Sequence, residues 1–320
     1  MILLSNEVII FLFVEALLLL LQGIAFVNAV GILSRWDFAA STALQYRLEK
    51  RAYLVVLIIL FTLGFKMLLL PYFSYTIDQL SSIVPGAMCG AGVISANEYG
   101  PPLLSLKVLI VFLTGSWLIL NAEDIKASSY PYFKAKFWLF IVIFILVAVE
   151  SILDVLYLIN IPTGDPVSCC STIYGTAGSG EPLPFGLDIF RLLILFYLIY
   201  ALILVASFFR YTYINLIANA FFLYIAYFAV VYFFGTYVYQ LPTHKCPFCM
   251  LQSEYYYVGY FIWGTLFLGT FFGMAGALLK TLMRKEVGFV YSATAIFNTA
   301  FVLLCTLYVA VYYLKTGVFL

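Results

Sequence analysis

The sequence predicts an all-α protein, a polytopic helical bundle that crosses a membrane about eight times. Three observations support this prediction. Of the 320 residues, 65% are hydrophobic and 10% are charged, whereas soluble domains average about 45–50% apolar and about 25% charged. The mean hydropathy is +1.08. The apolar residues are also collected into stretches of about 20 residues or more, the length that crosses a hydrocarbon core of about 30 Å.

The apolar stretches divide the chain into spans and connections. No connection is long enough for a sizeable soluble domain, so we treat residues 1–320 as a single transmembrane domain. The first stretch has no basic segment before it and no small-residue cleavage site, which indicates a retained span rather than a signal peptide. The predicted spans are 8–33, 53–72, 103–122, 137–159, 188–208, 214–240, 257–279 and 288–314.

The basic residues predict the orientation, because Lys and Arg favour the cytoplasmic side of a membrane. Connections that follow odd-numbered spans hold eleven of them, and the remaining connections with the C-terminal tail hold two. Both termini and the loops 73–102, 160–187 and 241–256 should therefore lie outside, in a bacterial inner membrane. These charges serve topology, and nothing indicates nucleic-acid binding. The eleven are Arg35, Arg47, Lys50, Arg51, Lys126, Lys134, Lys136, Arg210, Lys280, Arg284 and Lys285, and the two are Lys245 and Lys315.

Five of the six cysteines fall in the predicted outer loops. In an oxidising compartment a purely structural set would normally be even in number, so the odd count favours thiol exchange or metal binding. The sixth, Cys305, lies inside an apolar stretch, where we expect a small core residue. The outer five are Cys89, Cys169, Cys170, Cys246 and Cys249.

The motif Cys246-Pro-Phe-Cys249 stands at the predicted start of the seventh span. The positive end of a helix favours a thiolate, and the neighbouring His244 and Lys245 add positive charge. The thiolate is the form that exchanges disulfides and binds metals. The spacing is compatible with a redox pair, with metal ligands and with a static disulfide.

The segment 246–254, Cys-Pro-Phe-Cys-Met-Leu-Gln-Ser-Glu, resembles the CxxC region of the bacterial disulfide-oxidising membrane proteins of the DsbB type. It is also similar to vitamin K epoxide reductase relatives, which carry a CxxC at the outer end of a span beside a quinone. The chain departs from both families in its number of spans. Those families carry the motif on a four-helix core, whereas this chain has eight predicted spans. Ser253 also stands where a basic residue often follows the motif.

The resemblance implies a second outer cysteine pair that exchanges with a thioredoxin-fold partner. Cys89 with Cys169 or Cys170 would form this shuttle pair. Electrons would then pass through Cys246 and Cys249 to or from a membrane quinone.

Seven ionisable residues lie in or near the outer halves of the predicted spans. A charge at the bilayer centre costs at least ~2.5–3.5 kcal/mol, so these side chains should face the interior of the protein and pair. They are either structural ion pairs or the lining of a polar cavity that holds a quinone headgroup, passes protons or receives an ion. The seven are Glu15, Lys66, Lys107, Glu150, Asp154, Asp188 and Arg191, and the expected quinone contacts are Glu150, Asp154, Lys66, Lys107 and Arg191.

Three functional hypotheses follow. The first is a quinone-linked thiol–disulfide oxidoreductase with an extracytoplasmic partner. The second is a soft-metal transporter or metallochaperone for Cu, Zn or Hg, because thiolate and imidazole ligands suit these metals. The third is a non-catalytic subunit or assembly factor that holds other membrane subunits and uses its disulfides structurally. The catalytic residues of the first would be Cys246, Cys249, Cys89, Cys169 and Cys170, and the ligands of the second His244, Cys246, Cys249, Cys169, Cys170 and Cys89.

Overall fold

The computed structural model describes residues 2–37, 42–127, 130–167 and 186–320. Within these ranges, eight helices are long and apolar enough to cross a membrane, which confirms the predicted class. The eight are α1 (Asn6–Arg35), α2 (Ala43–Leu80), α3 (Gly100–Lys126), α4 (Phe133–Ile159), α5 (Ile189–Phe208), α6 (Thr212–Tyr239), α7 (Val258–Met283) and α8 (Gly288–Thr316).

Several helices continue past the apolar stretches that predicted them. The largest difference is in α2, which has 38 residues where the sequence predicted 53–72. Its first turn is capped by the Thr42 side chain, which accepts a hydrogen bond from the Gln45 backbone N–H at 3.3 Å. Hydropathy detects the part of a helix that suits lipid, whereas capping and propensity decide where the helix ends. The sixth span also contains a π-helical turn, Val230–Phe234.

The described residues divide into two compact units of four long helices each. We call the unit that contains α1 to α4 the N-terminal bundle, and the unit that contains α5 to α8 the C-terminal bundle. The loop between α2 and α3 is shared between them, because residues 86–92 belong to the C-terminal bundle. The units are Met1–Pro85 with Val93–Val167, and Gly86–Gly92 with Ser168–Leu320.

The N-terminal bundle is a ring of four helices in which sequence neighbours are also spatial neighbours. α1 packs against α2 and α4, and α3 packs against the same two helices. Buried positions alternate at spacings of three and four, the heptad pattern of helices that pack nearly parallel. In α1 this pattern includes every buried residue: Val8, Phe11, Glu15, Leu18, Gln22, Ala25, Ala29 and Ile32.

The C-terminal bundle has the same cyclic order. α5 packs against α6 and α8, and α7 packs against the same two helices. Close approach in this bundle depends on the pair Gly269 and Gly273 of α7. A Cβ atom on Gly269 would lie 2.5 Å from the Asn298 side chain, and one on Gly273 would lie 2.2 Å from that of Asn219. The GxxxG spacing therefore serves helix packing inside the bundle.

Candidate functional site

The thiol site is assembled from two loop segments that belong to the C-terminal bundle. One is the segment 86–92, where Gly86 adopts a φ of 80° that suits glycine, and where Cys89 immediately precedes a short helix, Gly90–Ile94. The other, which we call the cysteine loop, is residues 240–257 between α6 and α7. It contains the CxxC motif.

Three hydrogen bonds fix the cysteine loop to the helices on either side of it. At the end of α6, the Tyr239 hydroxyl donates to the Cys246 carbonyl oxygen and accepts from the Met250 backbone N–H at 3.1 Å. From α7, the Trp263 indole N–H donates to the Pro247 carbonyl oxygen at 3.1 Å. The backbone of the motif is thus held at both of its ends by side chains of the bundle.

Glycine allows the loop to lie directly on α7. A Cβ atom on Gly259 would be 2.6 Å from the Met250 side chain, a distance that real Cβ contacts essentially never show. Met250, one residue after the motif, is fully buried. The close contact places Met250 and Leu251, the two residues that follow the motif, against the first turn of α7.

The sulfur atoms of Cys89, Cys246 and Cys249 converge within this frame. The Cys89 and Cys246 Sγ atoms are 3.2 Å apart, longer than the roughly 2.05 Å of a disulfide bond. All three sulfurs lie within 4.8 Å of one another. The three side chains are buried, with exposures of 0%, 1% and 8%. We call this group the sulfur cluster.

The motif does not stand at the start of a long helix, so the predicted activation by a helix terminus is wrong. α7 begins at Val258, nine residues after Cys249. The motif is followed by a three-residue 3₁₀ turn, Cys249–Leu251, which is too short to carry a substantial helix dipole. Stabilisation of a thiolate at the motif would therefore have to come from nearby side chains.

His244 is a titratable side chain near the motif that could stabilise a thiolate. Its ring packs against that of Tyr239 with centroids 4.2 Å apart. Burial lowers the pKa of His244 below its usual value of 6.5, and the charge of the Cys89 thiolate opposes this shift. The neighbouring Lys245 lies over the Tyr232 ring, 4.9 Å from its centroid. Among the described residues, His244 is not one of those whose possible ligand atoms lie within 4.8 Å of the three sulfurs of the sulfur cluster.

The remaining predicted cysteines divide into two groups. Cys169 and Cys170 lie outside the described residues. Cys305 is buried in α8 at 1% exposure, as expected for a core residue, and it is not part of the sulfur cluster.

Five of the predicted ionisable residues meet in the N-terminal bundle, and we call them the charged cluster. Lys66 bonds to Glu15 and lies 2.8 Å from Glu150. Lys107 lies 2.7 Å from Glu150 and 2.8 Å from Asp154. All five side chains are buried. The expectation that intramembrane charges pair inside the protein is therefore met for this group.

The other two ionisable residues do not join the cluster. Asp188 caps α5 by accepting from the Ile189 backbone N–H at 2.9 Å. Arg191 is an exposed residue of α5 and so belongs to the C-terminal bundle. The prediction that Arg191 shares a site with Lys66 and Lys107 has no support in the contacts of the N-terminal bundle.

Sequence reasoning missed a second buried ion pair in the N-terminal bundle. The charge pattern places Lys136 in a connection, but in the structure it lies inside α4 and is buried at 4% exposure. Its Nζ is 2.7 Å from Asp124 and donates to the Asn121 side chain at 3.2 Å. The signal was present in the sequence, because Lys136 precedes Glu150 by two heptads and lies on the same helix face.

No protein-family profile, curated protein or solved structure matches this chain. The sulfur cluster and the chemistry of its surroundings are therefore the features that bear on function.

Proposed function

We propose that the protein is a membrane thiol–disulfide oxidoreductase that passes electrons between a thiol partner outside the cytoplasm and a membrane quinone. The observation that carries the proposal is the sulfur cluster. Thiol–disulfide exchange requires three sulfurs to meet, namely the attacking thiolate, the sulfur attacked and the sulfur that leaves. Cys89, Cys246 and Cys249 supply three sulfurs within 4.8 Å of one another.

The cluster can relay electrons in three steps. When Cys246 and Cys249 are joined by a disulfide, attack by the Cys89 thiolate on Cys246 forms a new S–S bond and releases the Cys249 thiolate. The thiolate of Cys169 or Cys170 then attacks Cys89 and forms a disulfide with it. This step releases the Cys246 thiolate, so that Cys246 and Cys249 become a dithiol. A quinone accepts two electrons and two protons from this dithiol, forming the quinol and restoring the disulfide. The same exchange runs in either direction, as set by the reduction potentials of its partners.

Burial of the cluster determines which part of the relay it can serve. Cys89 and Cys246 are at most 1% exposed, so a folded protein partner does not reach their sulfurs directly. We therefore assign the cluster to the membrane side of the relay. We assign the exchange with a thioredoxin-fold partner to Cys169 or Cys170. The sequence predicts both in the loop 160–187, on the same side of the membrane as the cysteine loop.

The aromatic side chains next to the motif support a quinone as the second substrate. Trp263, bonded to Pro247 inside the motif, is partly exposed, and its ring centroid is 5.9 Å from that of the exposed Tyr227. In a bilayer, this face of the C-terminal bundle would meet lipid. We propose it as the approach for the quinone ring in place of the charged cluster, where carboxylates already surround both Lys66 and Lys107.

The first experiment is mass-tag counting of thiols in intact membranes, with added quinone, with added quinol and with a chelator. We expect quinone to oxidise Cys246 and Cys249 and quinol to reduce them. Cys246→Ser should abolish quinone-dependent thiol turnover, while Cys305→Ala, which removes a buried cysteine outside the cluster, should retain it. Full quinone-dependent thiol turnover in Cys246→Ser would refute the proposal.

A second variant pair tests the aromatic approach. Trp263→Leu should slow quinone-dependent oxidation of the motif by about tenfold, if the contact contributes roughly 1.4 kcal/mol. Trp138→Leu removes an exposed tryptophan of α4 in the N-terminal bundle and should leave the rate unchanged. Equal rates in both variants would remove Trp263 from the quinone path.

A soft-metal site is the second candidate, and the same three sulfurs favour it. Three buried thiolates suit Cu(I) or Zn(II). Thiols of Cys89, Cys246 and Cys249 that become reactive only after chelation would support this candidate against the redox one. Disulfides that change with neither quinone nor chelator would indicate the structural role, in which the protein is a subunit or assembly factor.

A further inference from the structure

The charged cluster of the N-terminal bundle holds more acids than bases. Glu15, Glu150 and Asp154 face two lysines, Lys66 and Lys107. If all five were ionised, the cluster would carry one surplus negative charge inside the span, where an uncompensated charge is costly. The Asp124–Lys136 pair of the same bundle has one acid and one base and is balanced.

Three carboxylate oxygens in the charged cluster are buried without a hydrogen-bond partner among the described residues: Oε2 of Glu15, Oε2 of Glu150 and Oδ1 of Asp154. The Glu150 atom lies 2.8 Å from Lys66 Nζ in an ion pair, which leaves the Glu15 and Asp154 oxygens for a further ligand. A metal ion of the Ca²⁺ or Mg²⁺ type needs about six or more oxygen ligands, whereas a proton needs one oxygen. The ligand that fits both the charge and the two oxygens is a proton.

A second observation, independent of the acids, is a layer of unpartnered polar groups in the same bundle. Both side-chain polar atoms of Gln22, and the hydroxyl of Thr114, are buried without a hydrogen-bond partner among the described residues. Gln22 follows Glu15 by seven residues in α1, and Thr114 follows Lys107 by seven in α3. They therefore lie about 10 Å along the bundle from the charged cluster, on the same helix faces. Buried polar groups of this kind are usually satisfied by ordered water.

We propose that the N-terminal bundle contains a proton-binding site, in which Glu15 and Asp154 hold one exchangeable proton and the Gln22–Thr114 layer supplies the water that exchanges it. On binding, the proton leaves a hydronium ion and forms an O–H bond with a carboxylate oxygen; on release it returns to water. Glu150 is not part of the site, because its two carboxylate oxygens lie 2.8 Å from Lys66 and 2.7 Å from Lys107. The site is independent of the thiol chemistry proposed for the C-terminal bundle.

The site is tested by infrared spectroscopy of the purified full-length chain in lipid, using the C=O stretch of protonated carboxyl groups at neutral pH. We expect the signal of one buried carboxyl in the wild type. Glu15→Gln and Asp154→Asn each balance the cluster, so each should lose that signal whichever residue carries the proton. Lys66→Met adds a second surplus charge and should double it.

The balanced ion pair provides the control. Asp124→Asn removes a buried acid of the same bundle and should leave the carboxyl signal unchanged. Absence of the signal in the wild type, its persistence in both Glu15→Gln and Asp154→Asn, or its loss in Asp124→Asn would overturn the proposal. Because Glu15→Gln and Asp154→Asn improve the charge balance of the charged cluster, these two variants should fold even if Lys66→Met does not.

The water route is tested by the rate at which the same signal shifts in D₂O. Gln22→Leu with Thr114→Val should slow exchange at least about tenfold, because it removes the polar layer while keeping its volume. Thr62→Val is the matched control, because the Thr62 hydroxyl is equally buried but already donates to the Ile59 carbonyl oxygen at 3.2 Å. Unchanged exchange in the double variant would overturn the route.

Discussion

The two bundles arrange four helices in the same cyclic order but place different polar groups in their cores. The N-terminal bundle buries formal charges, in the charged cluster and in the Asp124–Lys136 pair. The C-terminal bundle buries neutral amides: Asn219 donates to the Asn215 side chain at 2.7 Å, and Asn298 donates to Asn219 at 3.0 Å.

The difference shows that one helix arrangement can be held together in two ways. Long lysine side chains bridge helices at a distance, and their ion pairs are strong only while every partner is present. Short asparagine side chains require close backbones, which is why Gly269 and Gly273 lie opposite Asn298 and Asn219. The charged bundle should therefore be sensitive to removal of a charge, and the amide bundle to an increase in side-chain volume.

The largest expected effect breaks the charged cluster. Lys107→Met leaves Glu150 and Asp154 buried beside each other without the cation between them, and should destabilise the protein by about 3–5 kcal/mol. Asn219→Leu, the corresponding change in the C-terminal bundle, should cost about 0.6–1.7 kcal/mol per lost interhelical bond. Reversible denaturant unfolding in mixed micelles measures both. Equal losses in the two variants would refute the contrast between the bundles.

An intermediate effect tests close packing in the C-terminal bundle. Gly273→Ala places a methyl group against Asn219 and should destabilise the protein by about 1–3 kcal/mol. Gly264→Ala, in the same helix, meets open space and should be neutral or stabilising by up to about 1 kcal/mol. The two variants share helix, residue type and substitution, so a similar result in both would argue against packing as the cause.

The smallest expected effect is the pH dependence contributed by the chain's single histidine. Burial lowers the pKa of His244, so the unfolded chain binds a proton at a higher pH than the folded one does. This contribution to stability is present above pH 6.5, the ordinary value, and is lost as pH falls through the lowered folded value. The melting temperature should fall between about pH 7.5 and about pH 5.5 in the wild type by more than in His244→Gln. Identical pH profiles would show that His244 does not titrate differently on folding.

Local sequence features predicted much of the thiol site but misjudged its setting. Counting cysteines by loop selected five, of which Cys89, Cys246 and Cys249 converge. The other two, Cys169 and Cys170, lie outside the described residues.

The prediction that the motif stands at a helix start was wrong, because Cys249 begins one 3₁₀ turn and a second follows at Ser253–Tyr255 before α7 begins at Val258. Hydropathy placed the start of the seventh span at 257, one residue before α7 begins, but it does not show which conformation the residues between the motif and the span adopt.

Polar residues in the cores were only partly predictable, for a reason particular to membranes. In water, a helix shows its buried face by contrast with its polar face, but in lipid both faces are apolar. The buried face of such a helix is therefore marked only by the positions of its few polar residues. The heptad spacing of Glu15 and Gln22, and of Lys107, Thr114 and Asn121, contained that information.

The sequence by itself determined the class of the protein, the number of spans and the residues able to carry chemistry, because each of these depends on local hydropathy and residue type. The tertiary structure decided which of those residues meet. Cys89 reaches Cys246 across 157 residues of chain, and Lys66 reaches Glu15 across 51. Contacts at such separations are set by how whole helices pack, and no local pattern in the chain records that packing.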